Sequence, residues 1–443
     1  MDNLLAARTQ MAISLMFHII FAAVGIATPL MMFVSEALWL RTRNPVYLDL
    51  TKRWAKGTAI FFAVGAVSGT VLSFELGLLW PQFMKWAGAI IGMPFSLEGF
   101  AFFTEAIFLG LYLYGWNRVP PLAHLFAGLA VAVSGAASAV FVMTANAWMN
   151  TPRGFQLTEG RPVNIDPIAA MLNPAAFPEV LHMLLASYAA VGLAVAGIHG
   201  YVLLRHPGDR FHRAALVIAL LVGGPAALLQ PISGDIAARM VAETQPVKLA
   251  AMEGQFPTEA AAPLRIGGWP DPERGETRWA IEIPKGLSLL AYHDPNAVVR
   301  GLNDFDPSLH PPVEIVHVAF QVMVGCGTLM AALTLLTGFL AIRRRGLPEN
   351  RLLLRALVLA SPLGFVAIQA GWFVTEVGRQ PWIIQGVMRT SSALTPMPGL
   401  VLPLTLITLV YLLLGIIVVV LLRQQVLSTT PTERRAGEAS PHA

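Results

Sequence analysis

The sequence carries little charge. Only 13% of its 443 residues are Asp, Glu, Lys or Arg, about half the share of a typical soluble domain, whereas 55% are hydrophobic and the mean hydropathy is +0.62. This composition excludes an ordinary soluble protein and predicts an all-α polytopic membrane protein. The formal net charge of +4 gives no reason to expect nucleic-acid binding, because basic residues in membrane proteins mostly report orientation.

Other features are also absent. Cys326 is the single cysteine, which excludes an intrachain disulfide and a thiolate cluster. The first segment, MDNLLAARTQ, lacks a basic region followed by a small-residue cleavage site, so the first apolar run is expected to remain as a membrane anchor. We find no convincing internal repeat, which weakly disfavours the transporters built from repeated halves.

Nine apolar runs are long enough to cross a bilayer as helices, which takes about 20 residues each. They cover approximately residues 11–38, 58–80, 94–116, 122–143, 178–204, 214–232, 313–342, 352–373 and 399–422. The predicted organisation is therefore helices one to six in residues 1–237, a polar extracytoplasmic loop in 238–312, helices seven to nine in 313–424 and a disordered cytoplasmic tail in 425–443.

Lysine and arginine predict the orientation. They concentrate in the loops after the first, third, fifth and seventh runs, for example at Arg41, Arg43 and Arg344, and are sparse in the opposite short loops. Because basic loops stay in the cytoplasm, we expect the N-terminus outside and the C-terminal tail, with Arg434 and Arg435, inside.

The polar side chains of the apolar runs lie mostly in one half of the predicted membrane. Ionisable residues inside a membrane are costly, so each is a functional-site hypothesis. The members in the predicted outer half come from six different helices and are His18, Glu75, Glu98, Glu105, His182, Met323 and Glu376. Glu98 and Glu105, seven residues apart, share one helical face at a separation of about 10 Å along the axis.

Histidine, methionine and carboxylates in an apolar pocket are typical of haem iron, since a His/Met pair gives an electron-transfer haem and a single ligand leaves a position for a gas. Copper usually needs more His or Cys, and paired carboxylates in a dry site suit proton relay. Structural interpretations also apply: a lone His often bonds a neighbouring helix, as we predict for His124 and His199, and Met323 could be core filling. His317 competes with Met323 as a haem ligand.

Four segments carry a specific resemblance. They are HIIFAAVGIATPLMMFVSEALWL in the first run, LEGFAFFTEA in the third, ETQPVKLAAMEG in the outer loop and GWFVTEVGRQPW at the eighth. From His18 to about Leu402 the sequence is similar to subunit I of the cytochrome bd ubiquinol oxidases. The resemblance implies the haem-bearing catalytic subunit of a terminal quinol oxidase in the bacterial cytoplasmic (inner) membrane, which oxidises quinol at the outer side and reduces oxygen to water with charge separation.

The resemblance also implies three haems near the outer face. His182 and Met323 match the axial pair of the low-spin haem b558. His18 and Glu376 match axial ligands of the two high-spin haems, b595 and d, without showing which ligand serves which haem. Arg379, one turn after Glu376, is predicted to bind a haem propionate as a guanidinium fork.

Further residues are assigned in the same way. Trp372 is predicted to line the same haem site. Glu98 and Glu105 match acidic residues beside the high-spin pair, which implies proton delivery or haem contact. In the outer loop, called the Q-loop in this family, Lys248 and Glu253 match residues of quinol oxidation. A carboxylate there can accept a proton, and a cation can stabilise developing negative charge on the quinol oxygen.

The short Q-loop resembles the cyanide-insensitive oxidase branch, which leaves open whether the third haem is d or a further b-type haem. The family implies a second large transmembrane subunit (subunit II), a possible small single-span accessory subunit, quinol and oxygen as substrates, and membrane lipid around the helices. Two alternatives stay open from the residues alone: a proton-coupled membrane transporter, and a haem-carrying quinol dehydrogenase that does not reduce oxygen.

Overall fold

A computed structural model describes residues 1–347 and 350–424. Within these residues, nine helical segments are long and apolar enough to cross a membrane, which confirms the predicted class and number of spans. The predicted tail at 425–443 lies outside the described residues, and the orientation of the termini stays a prediction.

The helices follow one another with short connections in the first half of the chain. Their bounds are α1 (Asn3–Thr42), α2 (Pro45–Leu79), α3 (Pro81–Tyr114), α4 (Pro121–Asn150), α5 (Pro167–Met171), α6 (Ala176–Arg205) and α7 (Arg210–Thr244). The loop before the seventh span contains α8 (Pro246–Glu253) and α9 (Gly286–Tyr292), and two 3-10 turns at Leu302–Asp304 and Pro307–Leu309. The remaining helices are α10 (Val313–Arg343), α11 (Arg351–Ala360), α12 (Leu363–Val377), α13 (Thr390–Ala393) and α14 (Val401–Leu422).

Short antiparallel pairs make up all the strands of the described residues. They are β1 (Gln156–Thr158) with β2 (Arg161–Val163), β3 (Glu259–Ala260) with β8 (Val298–Val299), β4 (Leu264–Ile266) with β7 (Ile281–Ile283), β5 (Trp269–Asp271) with β6 (Glu276–Arg278), and β9 (Trp382–Ile384) with β10 (Met388–Arg389). Three of the five pairs lie in the Q-loop, which is therefore a folded segment.

Several predicted span boundaries differ from the helices. The sequence predicts the sixth span at 214–232, but α7 continues to Thr244, so the first residues of the predicted loop are helical. It predicts the eighth span at 352–373 as one run, whereas the structure has α11 and α12, which are separated at Ser361 and Pro362. Proline has no backbone N–H to continue the ladder of the first helix. Because α12 reaches Val377, Glu376 lies in its last turn and not beyond the helix.

The described chain separates into two compact units. The first comprises Met1–Leu79, Ala101–Gly135 and the described residues from Pro396. In it, α1 packs against both α2 and α14, with a buried contact among Phe21, Val64 and Val418. Asp2 caps α1 by accepting a hydrogen bond from Leu5 N at 2.7 Å, which satisfies one of the free N–H groups of the first turn.

The second unit comprises Trp80–Phe100 and Ala136–Thr395. Its helices α6 and α7 approach closely at small residues: a Cβ on Gly192 would lie 2.4 Å from Gly223 Cα. Such contacts are typical of membrane helices, where packing replaces the hydrophobic effect. The Q-loop shares a core with the ends of the spanning helices, in which Ala250 of α8, Val299 and Leu302 pack with Val316 of α10.

Candidate functional site

His18 occupies the first unit on α1. Its Nδ1 lies 2.9 Å from Ser68 Oγ of α2, and the Ser68 hydroxyl donates to Val64 O at 2.9 Å. Because the hydroxyl proton is already used, Ser68 accepts the proton of Nδ1–H, and His18 Nε2 keeps its lone pair. Gly69 leaves room for the ring, since a Cβ there would stand 3.0 Å from His18 Cε1.

His182 has the same arrangement in the second unit. Its Nδ1 lies 3.0 Å from Ser233 Oγ of α7, and that hydroxyl donates to Gln230 O at 2.9 Å. The other ring nitrogen, Nε2, accepts a hydrogen bond from Gln230 Nε2 at 3.0 Å. Both histidines are thus held from Nδ1 with Nε2 as the acceptor, which is the tautomer that ligates a metal.

His317, the competing ligand, is differently placed. It is 0% exposed, and each ring nitrogen lies against a carbonyl oxygen: Nδ1 is 2.8 Å from Met252 O and Nε2 is 3.0 Å from Gly267 O. Neither nitrogen has a lone pair directed at open space. His317 ties α10 to the Q-loop, and this disfavours it as a haem ligand.

Met323 projects from α10 toward α12. A Cβ on Gly371 of α12 would lie only 2.9 Å from the Met323 sulfur, so glycine is what lets the thioether approach this helix. His182 lies on α6, and α12 packs against both α6 and α10. The helices that carry the predicted axial pair therefore share α12 as a neighbour.

Glu376 and Arg379 form the centre of a buried polar network. Glu376 Oε1 accepts from Asn146 Nδ2 at 2.7 Å, and its other oxygen accepts from Arg379 Nη2. Arg379, 2% exposed, also donates to Asn150 Oδ1 at 3.3 Å. Asn150 Nδ2 in turn donates to Glu179 Oε1 at 2.9 Å. The network joins the ends of α4 and α12 to the first turn of α6.

Two buried donors of this region have no acceptor among the described residues. They are Arg379 Nε and the indole Nε1 of Trp372. Buried donors are nearly always hydrogen-bonded in native proteins. Together with the two fixed histidines and the Met323 thioether, they fit haem: nitrogen and sulfur ligands for iron and N–H donors for propionates.

The two acidic residues of α3 fall in different units. Glu98, in the second unit, accepts a hydrogen bond from Ser138 Oγ at 3.0 Å. Glu105, in the first unit, is 6% exposed. It lies against Gly135 of α4, where a Cβ would stand 3.3 Å from its carboxylate. Each carboxylate thus faces a small residue of α4.

Lys248 is buried on α8 and faces α12. Its Nζ donates to Thr375 O at 3.4 Å, and its stem packs on Gly378, where a Cβ would lie 3.1 Å from Lys248 Cε. Burial lowers the pKa of Lys248 from its ordinary value, and the negative charge of Glu179 opposes that shift. Lys248 therefore belongs to the Glu376–Arg379 network.

Glu253 ends α8, five residues after Lys248, so about 140° of helix rotation separates the two side chains. It is 5% exposed, and its Oε2 has no hydrogen-bond partner in the described part of the chain. Burial raises the pKa of Glu253 to about 8, against the opposing charge of Arg265. The structure thus gives the two predicted quinol residues different surroundings.

An apolar groove runs between α10 and α12 beneath the Q-loop. It has a volume of about 640 Å³, and its lining includes Trp269 of the loop, Ile315 and Val322 of α10, and Val366 and Phe373 of α12. Val322 adjoins Met323 in the chain, so the groove lies alongside the helix that carries this residue. Neither Lys248 nor Glu253 is among the described residues that line the groove.

Sequence reasoning did not find several of these residues. Glu179 could have been found, because an ionisable residue at the start of a span and one turn before His182 meets the criterion used for the others. Ser68, Ser233 and Asn146 gave no signal, since small polar residues are common where membrane helices pack.

Comparisons with known proteins show the family. The family model "Cytochrome bd terminal oxidase subunit I" matches residues 6–430. A Bacillus subtilis (strain 168) protein with the provisional name cytochrome bd menaquinol oxidase subunit I is 37% identical over 95% of this chain and 96% of its own. Cytochrome bd ubiquinol oxidase subunit 1 of the same organism is 31% identical over 96% and 94%. The structure of bd oxidase from Geobacillus thermodenitrificans covers 96% of this chain and 98% of its own with a TM-score of 0.90 and 39% identity.

The fold and these relatives define a multi-pass respiratory oxidoreductase of the bacterial inner membrane. The chain belongs to the cytochrome bd terminal oxidase subunit I family and is the haem-bearing catalytic subunit of a quinol:oxygen oxidoreductase. This membership decides for the oxidase over the transporter and the oxygen-independent dehydrogenase. It establishes haem as the kind of cofactor, and bd oxidases work with a second subunit, quinol and oxygen.

Proposed function

We propose that His182 and Met323 hold a low-spin haem b558, and that His18 and Glu376 each hold one of two high-spin haems, b595 and d or a further b-type haem. The observation that carries this proposal is the serine behind each histidine. Ser68 and Ser233 fix Nδ1 as the donor, so Nε2 carries the lone pair in both histidines. In His182 iron would replace the Gln230 amide that this nitrogen bonds. A hydrogen bond to the far nitrogen orients a ligating histidine and raises its basicity.

Arg379 and Trp372 are the proposed donors to haem propionates. Both have a buried N–H group that lacks an acceptor among the described residues, and a propionate would satisfy it. Glu376 already accepts hydrogen bonds from Asn146 and Arg379, which fix the carboxylate while leaving further lone pairs available to a metal. When bound, the haems would supply electron transfer and the reduction of oxygen.

The groove beneath Trp269 is the proposed quinol site. Its lining is almost entirely apolar, apart from Glu314 and Gln369, which suits a ring with a hydrocarbon tail. Its lining includes Val322 of α10, which precedes the proposed haem ligand Met323 in the chain. The relatives are named as oxidases of ubiquinol and of menaquinol, and the groove chemistry is compatible with both.

Proton handling is assigned to carboxylates on the same two units. Glu253 does not line the groove, so it is proposed to receive a quinol proton through an intervening group or water, a role that its unpartnered Oε2 supports. Lys248 is proposed to stabilise developing negative charge from its place in the Glu376–Arg379 network. There its positive charge balances the carboxylates of Glu179 and Glu376. Glu98 and Glu105 are proposed to deliver protons toward the high-spin haems.

Subunit II is the proposed second large partner, with a small single-span subunit as a further one.

The experiment is a pyridine haemochrome assay and reduced-minus-oxidised spectrum of the purified complex, followed by Ser233→Ala and Ser68→Ala. We expect three haems, and in Ser233→Ala a shifted midpoint potential or lowered occupancy of the low-spin haem alone. Ser187→Ala is the matched control, because Ser187 lies on α6 and donates only to Met183 O. Both variants behaving as wild type would count against the ligand assignment, and a purified complex without haem would refute the function.

A further inference from the structure

A second polar cluster lies in the first unit, apart from the residues assigned to the haems. It consists of Gln10 and Ser14 on α1, Glu75 on α2 and Tyr411 on α14. These side chains are 4%, 0%, 3% and 3% exposed, respectively. All four lie in helices long and apolar enough to span a membrane, where polar groups without partners are costly.

The direct hydrogen bonds within this cluster are few. Gln10 Nε2 donates to Glu75 Oε1 at 2.9 Å, and Ser14 lies beside both the Glu75 carboxylate and the Tyr411 hydroxyl. In the described part of the chain, four buried atoms lack a partner: Gln10 Oε1, Ser14 Oγ, Glu75 Oε2 and Tyr411 OH. They combine two hydroxyls, which donate and accept, with two oxygens that accept only.

Four buried polar atoms from three helices lack a hydrogen-bond partner among the described residues. Helix packing alone does not account for so many of them in one place. In native proteins nearly all such atoms are bonded, to protein or to ordered water. A buried water makes about three hydrogen bonds, and this cluster offers donors and acceptors of both kinds. The ring of Phe17 stacks on Tyr411 at 4.5 Å between centroids, which provides an apolar wall on that side.

We propose that Gln10, Ser14, Glu75 and Tyr411 form a binding site for internal water, one molecule or a short hydrogen-bonded chain. The water bridges the Glu75 carboxylate to Ser14 and Tyr411. Gln10, Ser14 and His18 are spaced by four residues along α1, so they follow one face of this helix. Ser14 is one turn, about 6 Å along the axis, from His18. If His18 holds a haem, as in the proposed function, the site keeps an exchangeable proton beside that haem.

The test is made on the purified complex with its haems. Infrared difference spectra are recorded in ordinary water and in water labelled with oxygen-18, since this label shifts the O–H bands of bound water and leaves those of serine and tyrosine hydroxyls in place. We expect such a band in wild type and its loss in Ser14→Ala and in Tyr411→Phe, with loss or displacement in Glu75→Gln. A density map of the wild-type complex should show water within hydrogen-bonding distance of at least three of the four side chains.

Ser73→Ala is the matched control. Ser73 is an exposed serine on α2 whose hydroxyl donates to Gly69 O at 3.1 Å, so its removal leaves the water band unchanged. The proposal is overturned if wild type has no labelling-sensitive band that depends on Ser14 or Tyr411, or if the density is a cation or is empty with the side chains bonded directly. The visible haem spectrum is read on the same samples, so a failure of the haem assignment is seen separately.

Discussion

At the scale of single residues, the hydrogen bonds of the two ring nitrogens distinguish a histidine that can ligate a metal from one that only joins two segments of the chain. His18 and His182 each use Nδ1–H on a serine that is itself committed to a backbone carbonyl. His317 has a carbonyl against both nitrogens. The three histidines therefore differ in what they can do. Nε2 is an acceptor in His18 and His182 but not a free group in both, since in His182 it accepts from Gln230 Nε2, a hydrogen bond that a metal would replace.

Met323→Leu tests the sulfur ligand. The substitution conserves side-chain volume, so the core is retained, while the iron loses its thioether. We expect the low-spin signal of the reduced spectrum to be lost or converted to a high-spin one. Met330→Leu is the control, because Met330 lies on the same helix in a buried core, 4% exposed. An unchanged spectrum in Met323→Leu would remove Met323 from the ligand set.

As the proposed proton acceptor, Glu253 should make quinol oxidation depend on pH. Its pKa is raised to about 8, so at about pH 7 roughly one carboxyl in ten is ionised and able to accept a proton. The rate of quinol oxidation at saturating quinol should therefore rise from about pH 7, reach half its maximum at about pH 8 and level off above about pH 9. Glu253→Gln should be slow and lack this rise.

The control for that profile is Glu282→Gln, which removes an exposed carboxylate 3.0 Å from Arg265 and leaves Glu253 in place. It should keep the wild-type pH dependence. If Glu253→Gln also retains the rise, the titrating group is elsewhere and Glu253 is not the proton acceptor.

At the scale of elements, helix spans were predictable and their ends were not. Runs of apolar residues identify all nine spans, because crossing lipid requires them. The ends depend on local contacts: α7 continues seven residues into the predicted loop, and the eighth span breaks at Pro362. Proline at that position was visible in the sequence, but the uninterrupted apolar pattern concealed the break.

The candidate site was predictable in part for the same reason. Buried ionisable residues in an apolar run are rare, so His18, His182 and Glu376 stand out without a structure. The hydroxyls behind the histidines do not stand out. The different surroundings of Lys248 and Glu253 could not be predicted without knowing that α8 is a helix. A loop of unknown conformation does not determine the directions of two side chains.

Close helix packing gives a prediction for α6 and α7. A Cβ on Gly192 would lie 2.4 Å from Gly223 Cα, and backbone cannot move aside as a flexible side chain can. Gly192→Ala should destabilise the second unit by about 1–3 kcal/mol through overpacking, seen as a lower thermal midpoint of the complex in detergent. Gly338→Ala on α10, with no atom within 4 Å of its Cβ, should leave the midpoint unchanged or raised. Equal midpoints for the two variants would contradict this packing.

At the scale of the whole molecule, orientation decides where quinol protons are released. The basic loops predict a cytoplasmic face after the first, third, fifth and seventh spans. The Q-loop then faces outward, and oxidation of quinol beneath it would release protons outside while oxygen reduction takes protons from the cytoplasm. Charge separation would follow from the positions of the two reactions, without a dedicated pump.

Single-cysteine labelling in intact cells tests this orientation. Cys326 is the single cysteine of this chain, so Cys326→Ser removes its only thiol. Glu273→Cys, at an exposed position of the Q-loop, should react with a membrane-impermeant maleimide added to cells whose outer envelope is permeabilised while the inner membrane stays intact. Arg43→Cys, exposed after α1, should react only once the inner membrane is permeabilised, because its loop lies in the cytoplasm. The reverse pattern would invert the chain and place quinol oxidation on the cytoplasmic side, where released protons could not contribute to a gradient.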